Sequence, residues 1–181
     1  VLIDAAFLNF VITDIKNYFE KTLQRSLQEI DLSLFTSYLT LDAGINEGKN
    51  EVQFLFVYDK ESRHLQHCQP SDLQEELNGV AFQSPYGEFS FAGVPSEGMV
   101  SREDLFMDLL SVVSDSVDVK RMIVVSFNEE YGKKVTDVLQ GLKGKEVMQF
   151  RMNEPEIPVN YKWDMLAFPV MHSLGIRAEE L

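Results

Sequence analysis

Acidic side chains stand at the ends of the most apolar runs in this chain. Val1-Leu2-Ile3 leads into Asp4, Glu51–Tyr58 leads into Asp59, and Arg121–Phe127 leads into Asn128, Glu129 and Glu130. Short apolar runs of this kind read as strands buried on both faces. In an open parallel sheet, ligands gather beyond the carboxyl ends of the strands. A helix opening at Ser101 adds Asp104 and Asp108. Carboxylates drawn to one rim are the ligands that Mg²⁺ and Mn²⁺ prefer. An ion held there activates water and stabilises the leaving oxygen of a phosphodiester. Acids in these positions serve equally well as helix caps and first-turn residues. The chemistry therefore requires that the fold bring them together.

The elements that would position these acids alternate along the chain. Ile15, Phe19, Leu23 and Leu27 recur every four residues and predict an amphipathic helix capped by Thr13 or Asp14. Asp31 to Ala43 fits a helix capped by Asp31, but Leu34, Thr36, Tyr38 and Thr40 also alternate as in a strand. Lys60 to Asn78 is polar, with one short helix expected after Pro70, and Val80 to Val94 reads as a hairpin. Ser101-Arg102-Glu103-Asp104 resembles a capping box before Leu105, Leu109 and Val112. Tyr131, Val135, Val138 and Leu142 mark a further helix, and Lys145 to Met152 a further strand. Strands alternating with helices predict an α/β three-layer sandwich with a mostly parallel central sheet. Residues 1–152 are expected to form that domain. Residues 153–181 follow a Pro-flanked break and hold Trp163, Leu166, Phe168, Val170 and Met171. They are expected to form a tail, helical with a kink or stop near Pro169, that packs on the domain or on a second subunit in a homodimer.

Composition narrows the partners. The chain has 181 residues, 29 acidic and 16 basic, for a formal net charge of −13. That charge disfavours double-stranded DNA, whose binding is driven by phosphate neutralisation. The single cysteine, Cys68, excludes a disulfide framework and a Cys-only metal site. No apolar run approaches the ~18 residues of a membrane span, and the first residues lack a basic signal-peptide region. A cytoplasmic protein without a membrane partner is the expectation. Glycine-rich nucleotide motifs and a nucleophile elbow are absent. Weaker signals are His64, His67 and Cys68, which would share one helical face, and the lysines 133, 134, 143 and 145 beside Tyr131, a candidate contact for a single-stranded backbone. Phe82, Tyr86, Phe89 and Phe91 suit hairpin packing better than a stacking platform.

Asp104–Leu110, Lys120–Tyr131, Lys133-Lys134-Val135 and Leu139 together resemble the second half of PIN-like nuclease domains of the NYN type. In that family an acid-bearing helix precedes a hydrophobic strand, whose end carries a Ser-Gly-Asp-x-Asp-Phe signature that opens the next helix. Leu2-Ile3-Asp4 resembles the family's first strand and its catalytic Asp. The resemblance spans most of residues 1–152 in element order. It implies Asp4, Asp108 and Glu130 as catalytic ligands of Mg²⁺ or Mn²⁺, Asn128 as the residue that orients water or phosphate, and single-stranded RNA as substrate. The chain departs from the pattern in several places. Asn128 replaces the first Asp of the signature, Glu130 the second, Tyr131 the Phe and Phe127 the Gly. The family's Asn soon after the first Asp is displaced, with Phe7 and Asn9 nearby, and Arg102 stands where a further acid is expected. Two readings follow: an interaction module of PIN/NYN-like fold that is silent or weakened as a catalyst, which the departures favour, and a Mg²⁺/Mn²⁺-dependent ribonuclease.

Overall fold

The first strand passes into the first helix without a loop. A computed structural model, which describes residues 1–181, places β1 at Leu2–Asp4 and α1 at Ala5–Leu23. β2 (Ile30–Asp31) likewise runs straight into α2 (Leu32–Asp42). There follow β3 (Asn50–Tyr58), β4 (Cys68–Gln69), β5 (Ala81–Ser84) and β6 (Gly87–Pro95). The second half holds α3 (Arg102–Asp115), β7 (Arg121–Val125), α4 (Asn128–Gln140), β8 (Glu146–Arg151), β9 (Lys162–Met165) and α5 (Ala167–Ser173).

Seven strands form one sheet in the order β5-β6-β3-β1-β7-β8-β9. All pairs are parallel except β5 with β6. Counted in chain order, the six parallel strands lie as 3-2-1-4-5-6, the arrangement of doubly wound sheets, in which the order reverses beside the first strand. Ile3 is level with Phe56 of β3 and with Val125 of β7, so three strands reach the carboxyl rim together. One face buries Ile3, Phe54, Phe56, Val125 and Phe150 against α1, α2 and α5; the other buries Leu2, Val57, Val124 and Val147 against α3 and α4. The chain is thus a three-layer α/β fold with a mostly parallel centre.

Two sequence expectations change and one ambiguity is settled. The first helix is not capped by Thr13 or Asp14 but begins at Ala5, because Asp4 accepts from the backbone N–H of Ala6 and Phe7 at 2.9 and 3.2 Å. The apolar run that reads as a strand is therefore part strand and part helix, and Phe7, Leu8, Val11 and Ile12 form its buried stripe. The ambiguous segment is helical. Asp31 caps it, and Leu32, Phe35, Thr36, Leu39 and Thr40 bury at helical spacing. Thr36 and Thr40 satisfy their buried hydroxyls by donating to the carbonyls of Leu32 and Thr36.

The second change is that the tail holds a strand. Lys162–Met165 pairs with β8 as the last strand of the sheet, with Gln149 level with Trp163. α5 follows it, and Leu166, Val170, Leu174 and Ile176 join the larger core. Pro169 does not stop α5, because it lies in the first turn, where no N–H is needed. Arg25 then clamps the end of the chain, donating to Glu180 at 2.8 Å and to the Gly175 carbonyl at 3.1 Å. Residues 153–181 are a structural part of the domain. No helix is long and apolar enough to cross a membrane.

Two ion pairs set an acid limit on this fold. The Arg25 guanidinium and the Arg177 backbone N–H hold Glu180 down at about 2. The Arg63 guanidinium, with the N–H groups of Glu75 and Gln74, holds Asp72 well below the usual carboxylate range. Carboxylates depressed in the folded state contribute stability that is complete above their unfolded values, near 4, and is lost as pH falls through the folded ones. Stability measured by urea unfolding should therefore be steady from neutral pH to about 5 and decline from there toward pH 2. Glu180→Gln should remove part of that slope; an unchanged slope would show that the Arg25 clamp is not formed in solution.

Candidate functional site at the carboxyl rim

Beyond the ends of β1, β3 and β7 the chain places one guanidinium among three carboxylates. Arg102 Nε donates to Asp4 Oδ2 at 3.0 Å, Nη1 donates to Asp59 Oδ2, and Nη2 donates to Glu130 Oε1. Asp4 is the last residue of β1, Asp59 follows β3, Glu130 is in the first turn of α4, and Arg102 is the first residue of α3. Four separate elements therefore meet through one side chain, beside the strand where the sheet order reverses.

Each strand-end acid divides its two oxygens between local and long-range work. Asp4 Oδ1 caps α1, while Oδ2 accepts from Arg102 and from the Tyr131 hydroxyl. Asp59 Oδ1 accepts from the N–H and hydroxyl of Ser62, closing a capping box on the short 3₁₀ turn Lys60–Ser62, and Oδ2 accepts from Arg102. The cap and the cluster are thus one arrangement rather than competing uses of these residues. Asp4 has no exposed surface and Arg102 only 14%, so this ion pair is strong as well as costly to break. Burial works against the Arg102 charge, but Asp4 and then Asp59 and Glu130 outweigh it and keep the guanidinium cationic at any accessible pH. Burial pushes Asp59 up; the hydrogen bonds from Ser62 and Arg102 reverse this and hold it below its ordinary value. Burial, reinforced by Asp4, raises the Tyr131 phenol far above its usual value, so it stays a donor to Asp4.

An aromatic wall completes the rim. The Arg102 guanidinium lies 5.7 Å from the ring centroid of Phe127, within cation–π range. Phe127 in turn meets Phe7 at 5.2 Å and Phe10 at 6.1 Å between centroids. Phe7 is buried, whereas Phe10 is 55% exposed.

Of the residues singled out by sequence, Asp4 and Glu130 come together and Asp59 joins them. Asp108 does not. It lies six residues after Arg102 on α3, about 9 Å along the axis and on another face, exposed to solvent. Asn128 accepts from the Ser126 hydroxyl at 2.6 Å and is not among the hydrogen-bond partners of Arg102. No set of three or more His, Cys, Asp and Glu side chains anywhere in the chain is placed to hold a metal ion. The rim residues do not fit a divalent ion either: Asp4 and Asp59 have each committed one oxygen to a cap, and the other meets a fixed cation.

The residues of the weaker sequence signals are spread over several elements. His64, His67 and Cys68 share no helix; Cys68 is in β4, its thiol buried and pushed up to about 12 by burial and then by Glu29. Lys133 pairs with Asp137 and Lys134 with Glu103, and Lys145 donates to the carbonyls of Ser116 and Val119. Phe89 and Phe91 are core residues packed on Phe54. Arg102 and Tyr131 are the participants that the residue patterns do not reveal. One signal was available: an arginine opening a helix opposes the helix dipole, which favours acids there, so it needs a local reason to be cationic.

A profile described as a family of unknown function (DUF6621) matches residues 1–181. The chain belongs to DUF6621. No curated protein and no solved structure matches it. The DUF6621 profile spans all four rim residues, together with the tail that completes the sheet.

The rim ion cluster makes this DUF6621 chain depend on Arg102. Arg102→Ala leaves the buried Asp4 carboxylate without its counter-ion and should lower the unfolding free energy by about 3–5 kcal/mol. Glu130→Gln, at the exposed end of the cluster, should cost no more than about 1 kcal/mol. Chemical denaturation of the two variants measures the contrast, and equal losses would contradict the assignment of Asp4–Arg102 as the central pair.

Proposed function

We propose that this chain is an interaction module of PIN/NYN-like fold without nuclease activity, in which an arginine takes the place of the catalytic metal ion. One observation carries the reading: Arg102 donates to Asp4, Asp59 and Glu130 together. A guanidinium supplies positive charge to the carboxylates, as an ion would. It has no open coordination position and cannot lower the pKa of a bound water, which is the service a hydrolytic metal performs.

Two departures from the PIN/NYN pattern support one another in this reading. Arg102 stands where an acid is expected, and Phe127 stands where the signature has Gly. Phe127 is the ring beside the Arg102 guanidinium. The substitution that removes the metal's ligand and the one that fills the signature's turn thus build a single contact. The signature Asp replaced by Asn128 has likewise become a partner of Ser126. A doubly wound sheet offers a binding crevice at its carboxyl rim whether or not catalysis survives, so the same edge remains available to a partner.

The decisive assay is incubation of the chain with single-stranded RNA in Mn²⁺ or Mg²⁺, with Asp4→Asn as control. The expected result is intact RNA in both samples and a melting temperature that does not differ between Mn²⁺ and EDTA. Metal-dependent cleavage by the wild-type chain, lost in Asp4→Asn, would overturn the proposal in favour of a ribonuclease.

A further inference from the structure

A groove of about 520 Å³ runs along the outer face of α1 and ends at the Arg102 cluster. One wall is the stripe Phe10, Asp14 and Asn17, spaced as one helix face. The other is the turn after β3, with Asp59 and Glu61. Phe10 is more than half exposed, although it adjoins the Phe127 ring. Asp14 and Glu61 take part in none of the ion pairs of the chain. Arg102, the one cation of the wall, is already answered by three carboxylates. Lys60 lies between Asp59 and Glu61 in sequence but does not line the groove. Asn9 and Thr13 tie the floor of the groove to His64 and Gln66, and above that floor it presents an aromatic shelf and acids that no ion pair answers.

The inner end of this groove already displays what such a surface holds. Arg102, which lines that end, lies against Phe127 just beyond the groove and is met by carboxylates. Phe10, with Asp14 and Glu61 in the same groove, repeats that combination outward and lacks the cation. We propose that this groove docks an arginine-bearing segment of a partner protein, its guanidinium on Phe10 and facing Asp14 and Glu61. Arginine suits the seat better than lysine because its flat, weakly hydrated head stacks on an aromatic face and still donates to carboxylates. RNA is the wrong partner for this wall, since its phosphates would face Asp14, Asp59 and Glu61. A divalent ion lacks a set of ligands placed for it. The proposal rests on the reading of the chain as an interaction module and names the chemistry of its partner.

The test uses the full chain and a fluorescent peptide of Arg, Gly and Ser, with a Lys-for-Arg version, a citrulline-for-Arg version and a single-stranded RNA oligonucleotide. Anisotropy should show saturable binding of the Arg peptide, weaker binding of the Lys peptide, and none of the citrulline peptide or the RNA. Phe10→Ala, Asp14→Asn and Glu61→Gln change exposed side chains. Phe10→Ala should weaken the Arg peptide roughly tenfold, and each acid variant should weaken it several-fold. Asp115→Asn, an exposed acid at the far end of α3, should leave it unchanged and so separates the groove from the general negative charge. Equal binding by wild type and Phe10→Ala, a preference for RNA, or self-association of the chain that Phe10→Ala abolishes would overturn the proposal. If the peptides do not bind and RNA stays uncleaved, the groove assignment fails while the silent-module reading stands. Metal-dependent cleavage removes that reading whatever the peptides do.

Discussion

A carboxylate with no exposed surface needs a counter-charge, and the need of Asp4 for one organises this molecule. Asp4 ends the central strand and begins the first helix, so its position is set by the two elements that together form the middle of the core. Leaving it ionised there requires a cation within hydrogen-bond reach. Arg102 supplies it from the start of α3, and Tyr131 adds a neutral donor from α4. Because the guanidinium is a rigid fork, its remaining nitrogens also fix Asp59 and Glu130. A single buried charge thus links the strand ends on both sides of the point where the sheet order reverses.

The same constraint bears on function. A rim lined with acids would ordinarily suggest a divalent ion, and here the place is filled by a side chain whose charge does not depend on pH. What the rim still offers lies outward, where Phe10, Asp14 and Glu61 extend the aromatic-and-acid pattern without a cation. The layered fold accounts for this division: residues at the strand tips are drawn inward by the core, while Phe10, Asp14 and Asn17 lie on α1 outside its buried stripe.

Much of the fold is legible in local patterns. The β3 and β7 runs, the hairpin of β5 and β6, and the helices α3 and α4 follow from apolar spacing and capping residues. The errors have specific physical causes. Asp4 serves a strand and a helix at once, so the boundary between them carries no loop signal, and the helix reads as starting nine or ten residues too late. β9 is four residues long beside a proline-containing segment, and its pairing with β8 is a long-range event that no local period records. In the site, the convergence of Asp4 and Asp59 is readable because strand ends share a rim. Asp108 and Arg102 exchange roles for a geometric reason: they are on one helix, but six residues apart and on different faces, and Arg102 is the one that reaches the rim carboxylates. Tyr131 is unreadable in advance, since its hydroxyl reaches Asp4 across 127 positions of sequence.

A guanidinium sits among Asp4, Asp59 and Glu130, in the place a metal ion would take. Crystals grown in excess Mn²⁺ and measured at the manganese absorption edge address it directly. The account predicts continuous Arg102 density reaching all three carboxylates and no anomalous peak between them. An anomalous peak at that position, with Arg102 turned away from Asp4, would contradict it.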